Sequence, residues 1–159
     1  MGELSHLDST GAARMVDVSG KDVSARIAVA AGVVHTTAEV LDALRRDGLP
    51  KGDALATARI AGIMGAKRTP DLIPLCHPIA LAGVKIEFTL REAAVEITAS
   101  VRTTDRTGVE MEALTAVAVA GLALHDMIKA VDPAATLDAV RLIEKVGGRS
   151  GTWTRPEGR

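Results

Sequence analysis

The chain has 159 residues, which fits a single domain spanning 1–159 that can bury a sizeable core. Its net charge is −1 and only 1% of its residues are aromatic, so it lacks the positive field and the stacking side chains that nucleic-acid-binding modules use. A single cysteine excludes an internal disulfide, and the longest apolar run, residues 113–124, is shorter than the roughly 20 residues that cross a bilayer. With no signal-peptide pattern at its start, the chain is expected to be cytoplasmic, without nucleic-acid or membrane partners.

The N-terminal half predicts one strand and two helices. Residues 23–35 are rich in β-branched side chains, as strands are. A threonine directly after them can cap a short helix that ends at Arg46. Asp53 can cap a second helix over residues 54–68, which the following Thr-Pro pair stops.

The C-terminal half predicts a hairpin, a long helix and a last strand. Apolar and polar residues alternate over 84–90 and again over 95–101, which is typical of two paired strands with one buried face. Residues 107–110, Thr-Gly-Val-Glu, have the form of a capping box and predict the start of a helix that ends near Val131. Residues 137–146 predict the final strand.

The element order β-α-β-β-α-β predicts an α+β, ferredoxin-like fold, in which helices pack on one face of an antiparallel sheet. Residues 1–12 and 152–159 lie outside these elements and are expected to be flexible. The long helix is apolar all round over residues 113–124, so it should be buried on every side. One sheet covers only one of those sides, and we therefore expect the second helix and another subunit to cover the rest.

The stretch "LIPLCHPIAL", residues 72–81, sets the only cysteine beside a histidine and between two prolines. Ile73 and His77 each precede a proline, which favours extended backbone with neighbouring side chains on opposite sides. Cys76 and His77 are therefore poorly placed to share a metal ion or to act as nucleophile and base. We interpret Cys76 as a small buried residue, whereas structural and functional roles for His77 stay equally open.

Lys51 lies just ahead of the second predicted helix. The positive end of the helix dipole favours a bound anion there and tends to lower the pKa of a nearby lysine. A lowered pKa suits a proton donor that works at neutral pH. The alternative is a solvated loop lysine.

Polar groups occur at the two ends of the long helix. Glu110 and Glu112 lie near its start, where the first could simply belong to the capping box. Asp126 and Lys129 lie one turn apart near its end, where they could be no more than an exposed ion pair. Glu112 and Lys129 are separated by roughly 25 Å of helix, so they can share a ligand only if a second subunit contributes one of them.

Residues 145–151, "KVGGRSG", combine two cations with a glycine-rich turn whose backbone N–H groups can bind phosphate. The spacing is not that of a P-loop, so a flexible C-terminal turn is the preferred interpretation of this stretch alone.

Taken together, "KGDALATARIAGIMGAKRTPDLIPLCHP", "TGVEMEALTAVAVAGLALHDMIKAVD" and "KVGGRSG" closely resemble the cyclic pyranopterin monophosphate synthase family, molybdenum cofactor biosynthesis protein C. The resemblance covers roughly residues 5–152, and "MVDVS" at Met15 fits the family's N-terminal strand. His125 and Ile128 stand where the family commonly has Tyr and Cys.

The resemblance implies a ferredoxin-like enzyme that assembles as a homohexamer, a trimer of dimers with its sites at the dimer interface. Its substrate would be 3′,8-cyclo-7,8-dihydro-GTP, handed over by the radical S-adenosylmethionine GTP cyclase, and its products cyclic pyranopterin monophosphate and pyrophosphate. The positions that match the family's catalytic residues are Lys51, Lys129 and Asp126. Those that match its substrate-binding residues are His77, Cys76, Leu75, Glu110, Met111, Glu112, Arg26 and Lys145. No tightly bound cofactor or metal site is expected, although Mg²⁺ could accompany the triphosphate.

Two other interpretations stay open at this point. A non-catalytic oligomeric nucleotide-binding module would explain the cations and the buried helix, and it would release no pyrophosphate. A metal-dependent hydrolase centred on His77 would contain zinc or iron.

Overall fold

The computed structural model describes residues 6–46, 49 and 53–158. Over these residues, five strands form one antiparallel sheet in the order β2-β3-β1-β4-β5. The strands are β1 Ser24–His35, β2 Leu81–Leu90, β3 Ala94–Asp105, β4 Thr136–Val146 and β5 Trp153–Thr154. The helices are α1 Ala38–Arg45, α2 Ala54–Lys67, α3 Thr69–Leu72 and α4 Glu110–Ile128. The strand order of the first four strands is that of the ferredoxin-like fold, which confirms the predicted fold class.

The predicted N-caps of the first two helices are confirmed. The Thr37 hydroxyl accepts a hydrogen bond from the N–H of Val40, and the Asp53 carboxylate accepts one from the N–H of Ala56. The Thr-Pro pair ends α2 as predicted, but it also begins the single helical turn of α3, where proline is tolerated at the first positions.

The hairpin of β2 and β3 has the predicted alternation. Val95, Ile97, Ala99 and Val101 are fully buried on the face that meets the helices. The strand continues four residues further than predicted because residues 102–105 pair with residues 24–27 of β1. That pairing joins backbone groups, and it therefore needs no apolar side chains.

The two long helices approach each other closely at glycines. A methyl group on Gly62 of α2 would lie 2.8 Å from the carbonyl oxygen of Ala116 and 3.0 Å from the Cβ of Ala120, both on α4. A methyl group on Gly65 would lie 2.8 Å from two carbons of Val119. The small residues of α2 thus allow α4 to be held between the sheet and α2.

Helix α4 is not buried on every side within one chain. It has 19 residues and a mean hydropathy of 1.4, which by length and composition alone could cross a membrane, but 56% of that segment is buried inside the fold. Leu122, in contrast, is 63% exposed. The sheet and α2 thus leave one side of α4 open within the single chain, which agrees with the expectation that another subunit is needed to cover it; that subunit stays a prediction.

Two local predictions are wrong. The capping box does not form: Val109 is the N-cap residue of α4, and no side chain caps the helix. Arg26 instead donates hydrogen bonds to the carbonyls of Asp105 and Arg106, at the end of β3. These bonds hold the segment that precedes α4, and the helix begins at Glu110. The segment around Met15 also forms no strand, because its backbone pairs with none of the five strands.

Candidate active site

A cavity of about 910 Å³ lies beside the first turn of α4. Four further segments surround it: the chain ahead of β1, the start of β1, the loop after α3, and the end of β4 with its glycine turn. All eight residues predicted to bind substrate line this cavity, namely Arg26, Leu75, Cys76, His77, Glu110, Met111, Glu112 and Lys145. Residues that are up to 119 positions apart in the sequence therefore share one site, although their individual roles stay predictions.

The basic side of the cavity is built by β1 and β4. Arg26 is held by its two hydrogen bonds, of 3.0 Å from Nε to the carbonyl oxygen of Asp105 and 3.1 Å from Nη2 to that of Arg106. Gly148 has a φ of 72°, and a side chain on it would collide with the Arg26 guanidinium. The glycine turn is thus required both by its left-handed backbone and by the room it leaves for the arginine.

The acidic side of the cavity is the first turn of α4. Glu112 is only 3% exposed. Burial raises the pKa of its carboxyl, a hydrogen bond from its own backbone N–H opposes that shift, and the charge of Glu110 adds to it. Glu110 instead forms an ion pair with Lys145, at 3.1 Å between Oε1 and Nζ. The cavity therefore holds one buried carboxyl that gains a proton readily and one that is paired.

The loop after α3 presents His77 and Cys76 to the cavity. His77 Nε2 lies 2.7 Å from the carbonyl oxygen of Val16. A carbonyl oxygen only accepts hydrogen bonds, so Nε2 carries the proton, and in the neutral ring Nδ1 is left as an acceptor. The contact ties the segment ahead of β1 across the cavity. His77 thus has a structural role, and its Nδ1 remains available to a ligand.

Cys76 is placed as a lining residue. Burial raises the pKa of its thiol, and the nearby Glu112 carboxylate raises it further. A thiol that resists ionisation is a poor nucleophile and a poor metal ligand. Among the residues that the structure describes, no group of three or more His, Cys, Asp and Glu side chains is arranged to hold a metal ion.

Two of the three predicted catalytic residues, Asp126 and Lys129, do not join this cavity within one chain. Asp126 and Lys129 form an ion pair of 2.6 Å at the far end of α4, where both side chains are more than half exposed. Neither lines the cavity. Lys51 lies outside the described residues.

Sequence reasoning missed the segment ahead of β1. Val16, Val18, Lys21 and Asp22 line the cavity, and so does Ser24, whose buried hydroxyl has no hydrogen-bond partner. Lys21 follows a Ser-Gly turn in a polar stretch without periodicity, and such a stretch gives no signal of where the chain folds. Its position depends on long-range contacts, among them those of His77 Nε2 with the Val16 carbonyl and of Arg106 Nε with the Lys21 carbonyl.

The fold and cavity define an α+β protein with an open pocket of mixed charge, suited to a polar and anionic small molecule. The sequence profile of the MoaC family matches residues 15–148, and the chain belongs to that family. It is 66% identical to a cyclic pyranopterin monophosphate synthase of Streptomyces coelicolor, over 96% of this chain and 89% of the relative. It is 64% identical to a cyclic pyranopterin monophosphate synthase 2 of Mycobacterium tuberculosis, over 97% and 92%. A synthase of the same name from Novosphingobium aromaticivorans is 54% identical, over 99% and 100%.

Proposed function

We propose that the chain converts 3′,8-cyclo-7,8-dihydro-GTP into cyclic pyranopterin monophosphate and pyrophosphate during molybdenum cofactor biosynthesis. The observation that carries this proposal is the convergence of Arg26, Lys145, His77 and Glu112 on one cavity in a chain of the MoaC family. Cations suit the triphosphate, whereas the imidazole and the carboxyl suit the hydrogen-bonding edge of a guanine-derived ring.

In this proposal Arg26 and Lys145 stabilise the negative charge that grows on pyrophosphate as it leaves. Arg26 is already oriented by two backbone carbonyls, so it needs little reorganisation when an anion binds. The remaining donor groups of its guanidinium stay available to phosphate oxygens. Mg²⁺ could accompany the triphosphate and would add to this charge stabilisation.

The second part of the proposal is that the protein is a lyase in which two lysines provide acid–base catalysis. Lys51, which precedes α2 by three positions in the sequence, acts as the proton shuttle, and Lys129, beside Asp126, acts as the charged partner or acid. Because Lys129 lies at the far end of α4 from Glu112, a second copy of the chain must supply it to the cavity. The 63% exposure of Leu122 supports contact between copies, and we extend this to a homohexamer, a trimer of dimers.

We further propose that the protein is a soluble cytoplasmic enzyme that receives its substrate from the radical S-adenosylmethionine GTP cyclase. The cyclised nucleotide carries a triphosphate and a polar ring, and an open cavity of about 910 Å³ is large enough to accept such a ligand.

The test measures pyrophosphate released from the cyclised nucleotide by the wild type and by Lys51→Ala and Lys129→Ala. We expect turnover by the wild type and a loss of at least about 100-fold in each variant, the usual contribution of a general acid or base. Lys85→Ala is the matched control, since Lys85 is exposed on β2 and pairs only with Glu87 among the described residues. A wild type that binds the nucleotide without releasing pyrophosphate would instead favour the non-catalytic binding module.

A further inference from the structure

The Glu110 side chain folds back over Gly108. A Cβ atom built on Gly108 would overlap the Glu110 carboxylate, with Oε1 at 2.9 Å and Cδ at 2.7 Å. Gly108 is not among the glycines with positive φ, so the backbone there suits any residue. The glycine is therefore needed because it has no side chain, and the space it leaves is filled by the carboxylate.

The folded-back carboxylate reaches Lys145. Its Oε1 lies 3.1 Å from the lysine Nζ, and both side chains are about one-third exposed. Lys145 also opposes Ala28 of β1 in the sheet, which directs its side chain toward α4. The pair thus joins the first residue of α4 to the end of β4 across the cavity.

This ion pair occupies a cation that an anionic ligand would use. The described residues that line the cavity include four cations, Lys21, Arg26, Lys145 and Arg149, and three carboxyl groups, Asp22, Glu110 and Glu112. A phosphate that approaches Lys145 must compete with the Glu110 carboxylate and is repelled by it. Glu110 therefore weakens anion binding beyond its share of the net charge, because it sits directly on one of the cations.

We propose that Gly108 is a positioning residue: it lets Glu110 hold Lys145, and this ion pair limits the affinity of the cavity for pyrophosphate so that the product can leave. The inference rests on the proposed function for its biological meaning, but pyrophosphate binding can be measured without turnover. Removing the pair should leave Lys145 fully available to the phosphate oxygens.

Gly108→Ala separates this idea from a simple charge effect. The added methyl group meets the end of a flexible side chain, so Glu110 can rotate away while the net charge stays the same. Glu110→Gln removes the charge with nearly the same shape. Gly83→Ala is the control, since a methyl group on Gly83 in β2 meets no atom within 4 Å.

The experiment titrates inorganic pyrophosphate into each full-length protein by calorimetry at low ionic strength, after circular dichroism has established that each is folded. We expect Gly108→Ala and Glu110→Gln each to bind about 5- to 10-fold more tightly than the wild type, and the double variant to bind no more tightly than Glu110→Gln alone. Gly83→Ala should match the wild type. Inhibition of turnover by added pyrophosphate should strengthen by the same factor.

Unchanged or weaker binding by folded Gly108→Ala would overturn the positioning role, and the same result for Glu110→Gln would overturn the competition for Lys145. Should Gly108→Ala not fold, Glu110→Gln alone decides the competition. Tight binding by the two variants in a protein that never turns over the cyclised nucleotide would refute the proposed function and leave the ion-pair inference standing.

Discussion

Replacing Glu112 with glutamine should stabilise the protein near neutral pH. Glu112 is only 3% exposed, and among the described residues its carboxyl takes part in no ion pair. Burial and the nearby Glu110 charge raise its pKa, and a hydrogen bond from its own backbone N–H only partly offsets them. Ionised Glu112 is therefore a net cost to the folded state, and glutamine keeps the shape while it removes that charge.

The magnitude follows from the burial. A buried polar group without a partner typically costs about 1–3 kcal/mol, and a charged one costs more, so we expect the free energy of unfolding of Glu112→Gln to exceed that of the wild type by at least about 1 kcal/mol at pH 8. Between the pKa of Glu112 in the unfolded chain and its raised pKa in the folded protein, the folded protein holds a proton that the unfolded chain has released. Wild-type stability therefore falls as pH rises between these two values. One such group contributes a slope of at most about 1.4 kcal/mol per pH unit.

The assay is urea denaturation followed by far-ultraviolet circular dichroism from pH 4 to 8, at one fixed protein concentration because assembly would add to stability. The difference between Glu112→Gln and the wild type should be small at pH 4 and grow as pH rises above the ordinary range of a glutamate. Glu92→Gln, in the exposed hairpin turn, is the control and should follow the wild type throughout. A difference that does not change with pH would refute the assignment of a raised pKa to Glu112.

Two more predictions concern how the site is held in place. Gly62→Ala should destabilise the protein by up to about 2 kcal/mol, which is the cost of overpacking against the backbone of Ala116 minus the gain of about 1 kcal/mol in helix propensity. Gly83→Ala, the control, should leave stability unchanged. Equal denaturation midpoints for Gly62→Ala and the wild type would contradict the close contact between the helices. His77→Ala should speed amide hydrogen exchange over residues 16–22, and His77→Gln, which can still donate to the Val16 carbonyl, should do so less; unchanged exchange in His77→Ala would contradict the role of His77 in holding this segment.

Much of the fold could be predicted because local chemistry and tertiary packing agree. The alternation around Ile97 predicts a strand and Asp53 predicts the start of a helix, and the tertiary fold contains both. The first turn of α4 differs. Its residues fit a capping box locally, but Arg26 holds the preceding carbonyls from 79 positions away, and Lys145 attracts the Glu110 carboxylate. Local sequence contains neither contact.

The candidate site could be predicted only in part for a similar reason. The eight binding residues are implied by the family resemblance, and they converge on one cavity. Lys21 and Ser24 lie in or beside a polar stretch whose place depends on contacts with His77 and Arg106, both far away in the sequence. The separation of Lys129 from Glu112, in contrast, follows from helix geometry alone, and it indicates a site shared between copies.

The most direct test of a shared synthase site mixes two inactive variants. His77→Ala damages the cavity side and Lys129→Ala the far end of α4, and each alone should release little pyrophosphate from the cyclised nucleotide. Co-refolded at equal amounts, they should recover about a quarter of wild-type activity, because in a symmetric oligomer that fraction of sites receives an intact half from each copy. Activity no higher than that of the separate variants would contradict the account.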